Sequence, residues 1–256
     1  VRSKKTVGFS QRIRLEWLEY TAEQFLSGKT EKEIKSLLDE LLKNQLSIGH
    51  NTKRGAREKA ISILLKIWVT PPKHLRPFRD DALKHLKRLS IDERISVHWG
   101  MTMTVYPFFG LVAETAGRLL KLQGSFTPAQ VLRRIKEQFG DRETVTRATR
   151  RILRCFVDWG VLSDTEKKGI YQQPAAWSIK DKKLAAWLIE AVLISGNFKQ
   201  QLVSAVTQNP SLFPFDIGMI TYKDLELNQR LELFRQRVDE DIVMIKYWSS
   251  PPKCVN

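Results

Sequence analysis

The stretch from Thr127 to Ile179 constrains this chain most, because two helix signals stand head to tail there and a short polar segment follows them. Thr127-Pro128-Ala129-Gln130 is a helix start: Thr can cap, Pro suits the first helical position, and Gln three residues on reaches back to the cap. A first helix is expected over about Thr127 to Phe139, ended by Gly140 and Asp141. Asp141 or Thr144 is available to cap a second helix reaching about Trp159, where Gly160 supplies a left-handed stop. Beyond it, Val161 to Tyr171 and then Trp177-Ser178-Ile179 set short apolar pieces around a charged tip with Lys167, Lys168 and Gly169, the pattern of a β-hairpin. Helix, turn, helix and hairpin in one run read as a winged helix-turn-helix.

At about 100° per residue, Arg147, Arg150, Arg151 and Arg154 fall within roughly one 100° arc of the second helix. Val145, Ala148, Ile152, Phe156 and Trp159 fall on the other side. One face can therefore pack while the other meets phosphates and base edges, the division a groove-reading helix needs. The planar fork of Arg suits bidentate contact with phosphate or guanine. The same pattern also describes a merely solvated outer face. The candidate DNA-binding set is Arg142, Thr144, Thr146, Arg147, Arg150, Arg151 and Arg154 on this helix, Lys167 and Lys168 on the wing, and Lys53, Arg54 and Arg57 upstream.

The upstream group enters through charge. The chain carries 43 Lys plus Arg against 28 Asp plus Glu, a formal +15, which favours a polyanionic partner. Residues 1–88 hold 20 basic and 10 acidic side chains, so most of the excess lies there. Lys53, Arg54 and Arg57 crowd the start of a helix, where the macrodipole prefers negative charge, and a bound phosphate would resolve the conflict.

Elsewhere helical periodicity dominates. Phe9 to Leu26 reads as a helix, Thr30-Glu31-Lys32-Glu33 is a capping box for a second, and Ile61 to Trp68 continues a third. After Pro71-Pro72 a polar helix is expected over about Pro77 to Leu89. Ser90-Ile91-Asp92-Glu93 is another capping box, opening an apolar helical region to Leu122 split at Pro107. Within it, His98 beside Trp99 reads as a packing histidine. Ser178-Ile179-Lys180-Asp181 can cap a helix through Leu184, Trp187, Leu188, Ala191 and Leu193, which Gly196-Asn197 ends. Leu231, Leu233 and Ile242 to Ile245 fit either strands or helix. The expected class is thus mainly α: an N-terminal helical domain over 1–122, the winged segment over 123–180, and a helical or mixed extension over 181–256.

Only two cysteines, Cys155 and Cys254, are present, which suits a reducing cytoplasmic compartment. No signal-peptide pattern opens the sequence, and Met101 to Ala113 and Leu184 to Ile194 are too short to span a bilayer, so no membrane association is expected. No phosphate-cradling Gly-rich loop, paired nucleophile and His, metal-ligand spacing or nuclease-like carboxylate set is found. Asp80-Asp81 and Asp239-Glu240-Asp241, the close carboxylates, read as solvated surface. No enzyme activity, cofactor or metal is expected.

Asn44-Gln45-Leu46 after a helical hairpin, Thr52-Lys53-Arg54 at a basic helix start, a long apolar middle, and a Thr-rich basic helix ending in Gly160-Val161-Leu162 follow a familiar order. In that layout, over about residues 9–200, the chain resembles the A subunit (BrxA) of bacteriophage-exclusion (BREX) defence systems. The resemblance implies a helical DNA-binding protein without known catalysis, acting with other subunits of a defence complex.

Two readings follow. One is a non-catalytic accessory protein that binds duplex DNA through the arginine-striped helix and wing. The other is a protein-docking scaffold subunit, with Trp68, Tyr247 and Trp248 as exposed contacts. RNA binding fits less well, because aromatic-rich sheet motifs are missing. The oligomeric state stays open.

Overall fold

The computed structural model describes residues 7–46, 55–237 and 240–246. The chain is mainly α. Residues 7–14 form an irregular strap, followed by α1 (Leu15–Leu26), α2 (Glu31–Leu42) and α3 (Ala56–Trp68). A 3-10 turn leads into α4 (Arg76–Arg88), then α5 (Ile95–Val105) and α6 (Pro107–Gln123). The central segment comprises β1 (Ser125–Phe126), α7 (Pro128–Phe139), α8 (Glu143–Asp158), β2 (Ser163–Asp164) and β3 (Tyr171–Gln172). Then come β4 (Trp177–Ser178), α9 (Lys182–Ser195), β5 (Gln200–Leu202) and α10 (Val203–Thr207). A second 3-10 turn precedes β6 (Phe215–Asp216), α11 (Tyr222–Glu226), β7 (Leu231–Arg237) and β8 (Glu240–Ile245).

The middle of the molecule is set by two mostly apolar helices that are buried all round. Every residue of α5 is buried, as is Leu184–Leu193 of α9, and such helices must be covered on all sides. They lie against one another where Gly100 leaves room for the Trp187 ring; a Cβ there would collide with it. Buried side chains from all three sequence spans form one contiguous cluster, continuous across residues 122 and 180. Tryptophans pin it with their polar edges: Trp99 Nε1 donates to the Ser211 carbonyl at 3.0 Å and Trp187 Nε1 to the Phe78 carbonyl at 3.2 Å.

Several local expectations hold. The Thr30–Glu33 and Thr127–Gln130 capping boxes are formed, Pro107 splits the apolar region, and Asp181 caps α9 through the Lys183 and Leu184 amides. Others are corrected. Phe9 to Arg14 is not helical: the Ile13 amide and carbonyl bond the Cys155 and Trp159 side chains and the Ser10 carbonyl accepts from Arg151, in place of intrahelical bonds. The Ser90–Glu93 box closes a turn, and α5 begins only at Ile95. Trp68 is fully buried, edge-on to His98 with ring centroids 5.2 Å apart, so it offers no exposed contact. Tyr247, Trp248 and Cys254 lie outside the described residues.

The C-terminal alternative resolves as strand. β5, β8 and β7 form an antiparallel sheet in that order, and Leu231, Val243 and Ile245 turn inward. Trp177–Ser178 leaves the central hairpin and pairs in parallel with Phe215–Asp216. Glu190 is buried, held by two hydrogen bonds from Arg230 at 2.7 and 2.8 Å and by one from Asn228 at 2.7 Å. Asp81 pairs with the same guanidinium and so ties α4 to the turn before β7, which corrects its reading as solvated surface, whereas Asp80, 56% exposed and bonded to the adjacent Arg79, stays at the surface as expected.

Candidate nucleic-acid interface

The segment carrying the arginines is built on three short strands and two helices. β1 precedes α7, α8 follows it, and β2 and β3 close an antiparallel sheet in the order β1-β3-β2. Gly140 (φ 78°) and Gly160 (φ 73°) make the left-handed turns at the two helix ends, where a Cβ would be strained. The expected cap of α8 is corrected: Arg142 sits there with an extended backbone and no side-chain cap. Asp141 is drawn instead to Lys136 of α7 at 2.7 Å.

The packed face of α8 joins an aromatic cluster drawn from distant parts of the chain. Phe156 lies 4.9 Å from Trp99 and 5.2 Å from Phe109, centroid to centroid, and Trp159 lies 5.6 Å from Phe109, which also meets Phe9. The strap then clasps the side of the helix. The Ile13 amide donates to Cys155 Sγ at 3.2 Å, Trp159 Nε1 donates to the Ile13 carbonyl at 2.9 Å, and Arg151 donates to the Ser10 carbonyl. Arg12 meets Asp158 through two hydrogen bonds. Burial pushes the Cys155 thiol up to about 12, so it stays protonated and unreactive.

The opposite face carries exposed cations. Arg147, Arg150 and Arg154 are exposed, with Arg147 paired at 2.7 Å to Glu143 one turn back. Arg151 is half-buried and serves the strap; burial, then repulsion from Arg147, lowers its pKa. Thr144 is exposed, whereas Thr146 is buried in the packed face and cannot reach a ligand. Arg142 is half-buried at the helix start. Lys167 and Lys168 are exposed at the hairpin tip.

The upstream group divides differently. Arg57 is buried and bonds Asp39 of α2, its Nε 3.2 Å from the carboxylate, so it fastens α3 to α2 and is not free for phosphate. Lys53 and Arg54 lie outside the described residues. Two cations missed in the sequence, Arg133 and Arg134, are exposed on α7. Val131 and Ile135, the buried positions of that helix, would have placed Arg133 opposite them on a wheel. Arg12 had no local signal, because its partner is 146 residues away.

Among the described residues no group of three or more His, Cys, Asp or Glu side chains could hold a metal ion, and no helix is long and apolar enough to cross a membrane. No family model, no curated protein and no solved structure matches the chain.

Proposed function

We propose that this chain is a non-catalytic accessory protein that binds duplex DNA, with residues 123–180 acting as a winged helix-turn-helix and α8 entering a groove. The observation that carries the reading is the split character of α8: one face is locked into the aromatic cluster, and the other offers Arg147, Arg150 and Arg154 to solvent. A helix held so firmly from behind can present its cations in a fixed geometry, which groove recognition requires. The strand order β1-β3-β2 and a tip bearing Lys167 and Lys168 suit a wing that reaches the backbone. Arg133 and Arg134 add exposed positive charge on the neighbouring helix. The layout shared with BREX A subunits makes a phage-defence complex the setting we propose.

The test is a fluorescence-anisotropy titration of a labelled random-sequence duplex at several salt concentrations. Binding should weaken steeply with salt, at a slope close to the number of phosphates neutralised. An unfavourable result would be no salt-sensitive binding at low ionic strength.

One observation favours a second reading, docking to protein. Leu202, Ile242 and Phe234 stand side by side across the C-terminal sheet, and Leu202 is 39% and Phe234 45% exposed. An apolar row of this kind suits a partner subunit. A stable co-purifying protein lost on Phe234→Ser, with no DNA affinity, would favour it.

A further inference from the structure

The exposed arc of α8 contains two carboxylates as well as four arginines. At 100° per residue Glu143 and Asp158 both fall inside the arc of Arg147, Arg150, Arg151 and Arg154. Glu143 is taken by Arg147 one turn away. By the same spacing Asp158 stands one turn beyond Arg154 and would be its natural partner. It is not: Arg12 of the strap reaches the Asp158 carboxylate with two hydrogen bonds and leaves that side chain 16% exposed.

The reach of Arg12 is fixed by its neighbours. Phe9 and Ile13 are fully buried, the Ile13 amide and carbonyl are both bonded to α8 side chains, and the Ser10 carbonyl receives Arg151. Arg12 thus stands between anchored positions and is aimed along α8. Its partner also sits in the last turn of the helix, where the macrodipole opposes negative charge, so an external cation there is favourable.

We propose that the strap completes the DNA-binding surface, with Arg12 acting as a positioning residue that masks Asp158 and thereby keeps Arg154 free for phosphate. The proposal rests on the DNA-binding reading. It assigns Arg12 no contact with DNA. Loss of Arg12 does two things at once: it bares a carboxylate facing the phosphates, and it lets that carboxylate capture Arg154. Loss of Asp158 removes both effects.

A double-mutant cycle on the full chain reads this directly. The probe is a random-sequence 20-base-pair duplex, with circular dichroism and thermal melting to confirm folding. Arg12→Ala should weaken binding about tenfold, the effect of one bared charge at close range in a partly screened setting. The slope of log affinity against log salt should shrink by about one phosphate, as Arg154 is diverted. Arg12→Ala with Asp158→Asn should restore affinity and slope to the wild-type values, which a role confined to stability would not do. Asp158→Asn alone, which keeps Arg12, should bind at least as tightly as wild type.

If the double variant stays as weak as Arg12→Ala, Arg12 touches DNA itself and the masking role is overturned. Unchanged affinity in a folded Arg12→Ala protein overturns it too. Should Arg12→Ala fail to fold, weaker binding by Asp158→Asn is the overturning result. Absence of wild-type binding removes the parent reading and this one together, an outcome distinct from a wild type that binds while the cycle shows no rescue.

Discussion

Arg150 and Arg154 on α8 and Arg230 at the head of the C-terminal sheet carry the same guanidinium into opposite surroundings. The α8 pair stands exposed, with no carboxylate bonded to either among the described residues. Arg230 is closed in by Glu190, Asp81 and the Phe78 ring. An unpaired exposed arginine contributes little to folding and keeps its charge for a partner. A paired buried one has already spent that charge on the fold. Arg57, Arg79 and Arg94 belong with Arg230, each bonded to a carboxylate. The count of 43 Lys plus Arg therefore overstates the cations free to meet a ligand, and position decides which of them count.

The sharpest way to break this comparison is to remove Arg230. Arg230→Ala would leave Glu190 buried without its counter-ion, and such losses cost about 3–5 kcal/mol. Urea denaturation should show that drop, while DNA affinity of the folded protein stays unchanged. A loss below about 1 kcal/mol would mean that the network is surface decoration.

Next in size is the double variant Arg150→Glu with Arg154→Glu. Its affinity for duplex DNA should fall about a hundredfold at moderate salt, with the unfolding free energy moving by no more than about 0.5 kcal/mol. Anisotropy and urea denaturation side by side check both halves. A large stability loss with affinity intact would reverse the roles assigned to the two regions.

A third prediction concerns pH. His85 lies beside the Arg230 network and accepts a hydrogen bond from Arg88 at 2.7 Å on Nδ1. Burial, then the nearby Arg88 charge, pushes it down to about 4 from an ordinary 6.5. The unfolded chain therefore takes up the proton first as the pH falls. The stability from the neutral ring is complete above about 6.5 and drains away towards pH 4, by roughly 2 kcal/mol once solvent screening is allowed for. Buried His98 is shifted down by the same cause and adds in the same direction. Below that window Glu19 and Asp81, held below the usual carboxylate range by their ion-pair partners against the opposing effect of burial, begin to protonate and stability falls further. The urea midpoint followed from pH 7 to 4.5 should decline in the wild type and decline less in His85→Gln.

Much of this was legible locally. Capping boxes, Gly140 and Gly160, and the apolar faces of α7 and α8 are encoded within a few residues of where they act. What escaped depends on distance along the chain. Phe9 and Ile13 have the spacing of a helix face, yet only their packing and hydrogen bonds at α8 explain why they are not helical. Arg57 and Thr146 carry the right chemistry for phosphate contact, but burial removes them, and burial is a property of the assembled helices. The strands β7 and β8 were ambiguous because alternating and helical patterns coincide over short apolar runs, and only pairing with β5 decides between them.

Arg151 gives the finest test, because it belongs to the α8 stripe by position and to the Arg230 class by contact. Its guanidinium donates to the Ser10 carbonyl and is half-buried beneath the strap, so it helps fasten residues 9–13 to the helix. Arg151→Ala should lower unfolding stability by about 1 kcal/mol, the usual worth of a partly exposed hydrogen bond. Its effect on DNA affinity should be less than about threefold, whereas Arg150→Ala should reverse that pattern, with the larger change in affinity and the salt slope reduced by about one. Measured on one helix, with substitutions one residue apart, the contrast separates the sequence stripe from the surface that the packing leaves open. If both variants lose affinity equally, then the strap contact is broken when DNA binds, and the face of α8 available to a ligand includes all four arginines.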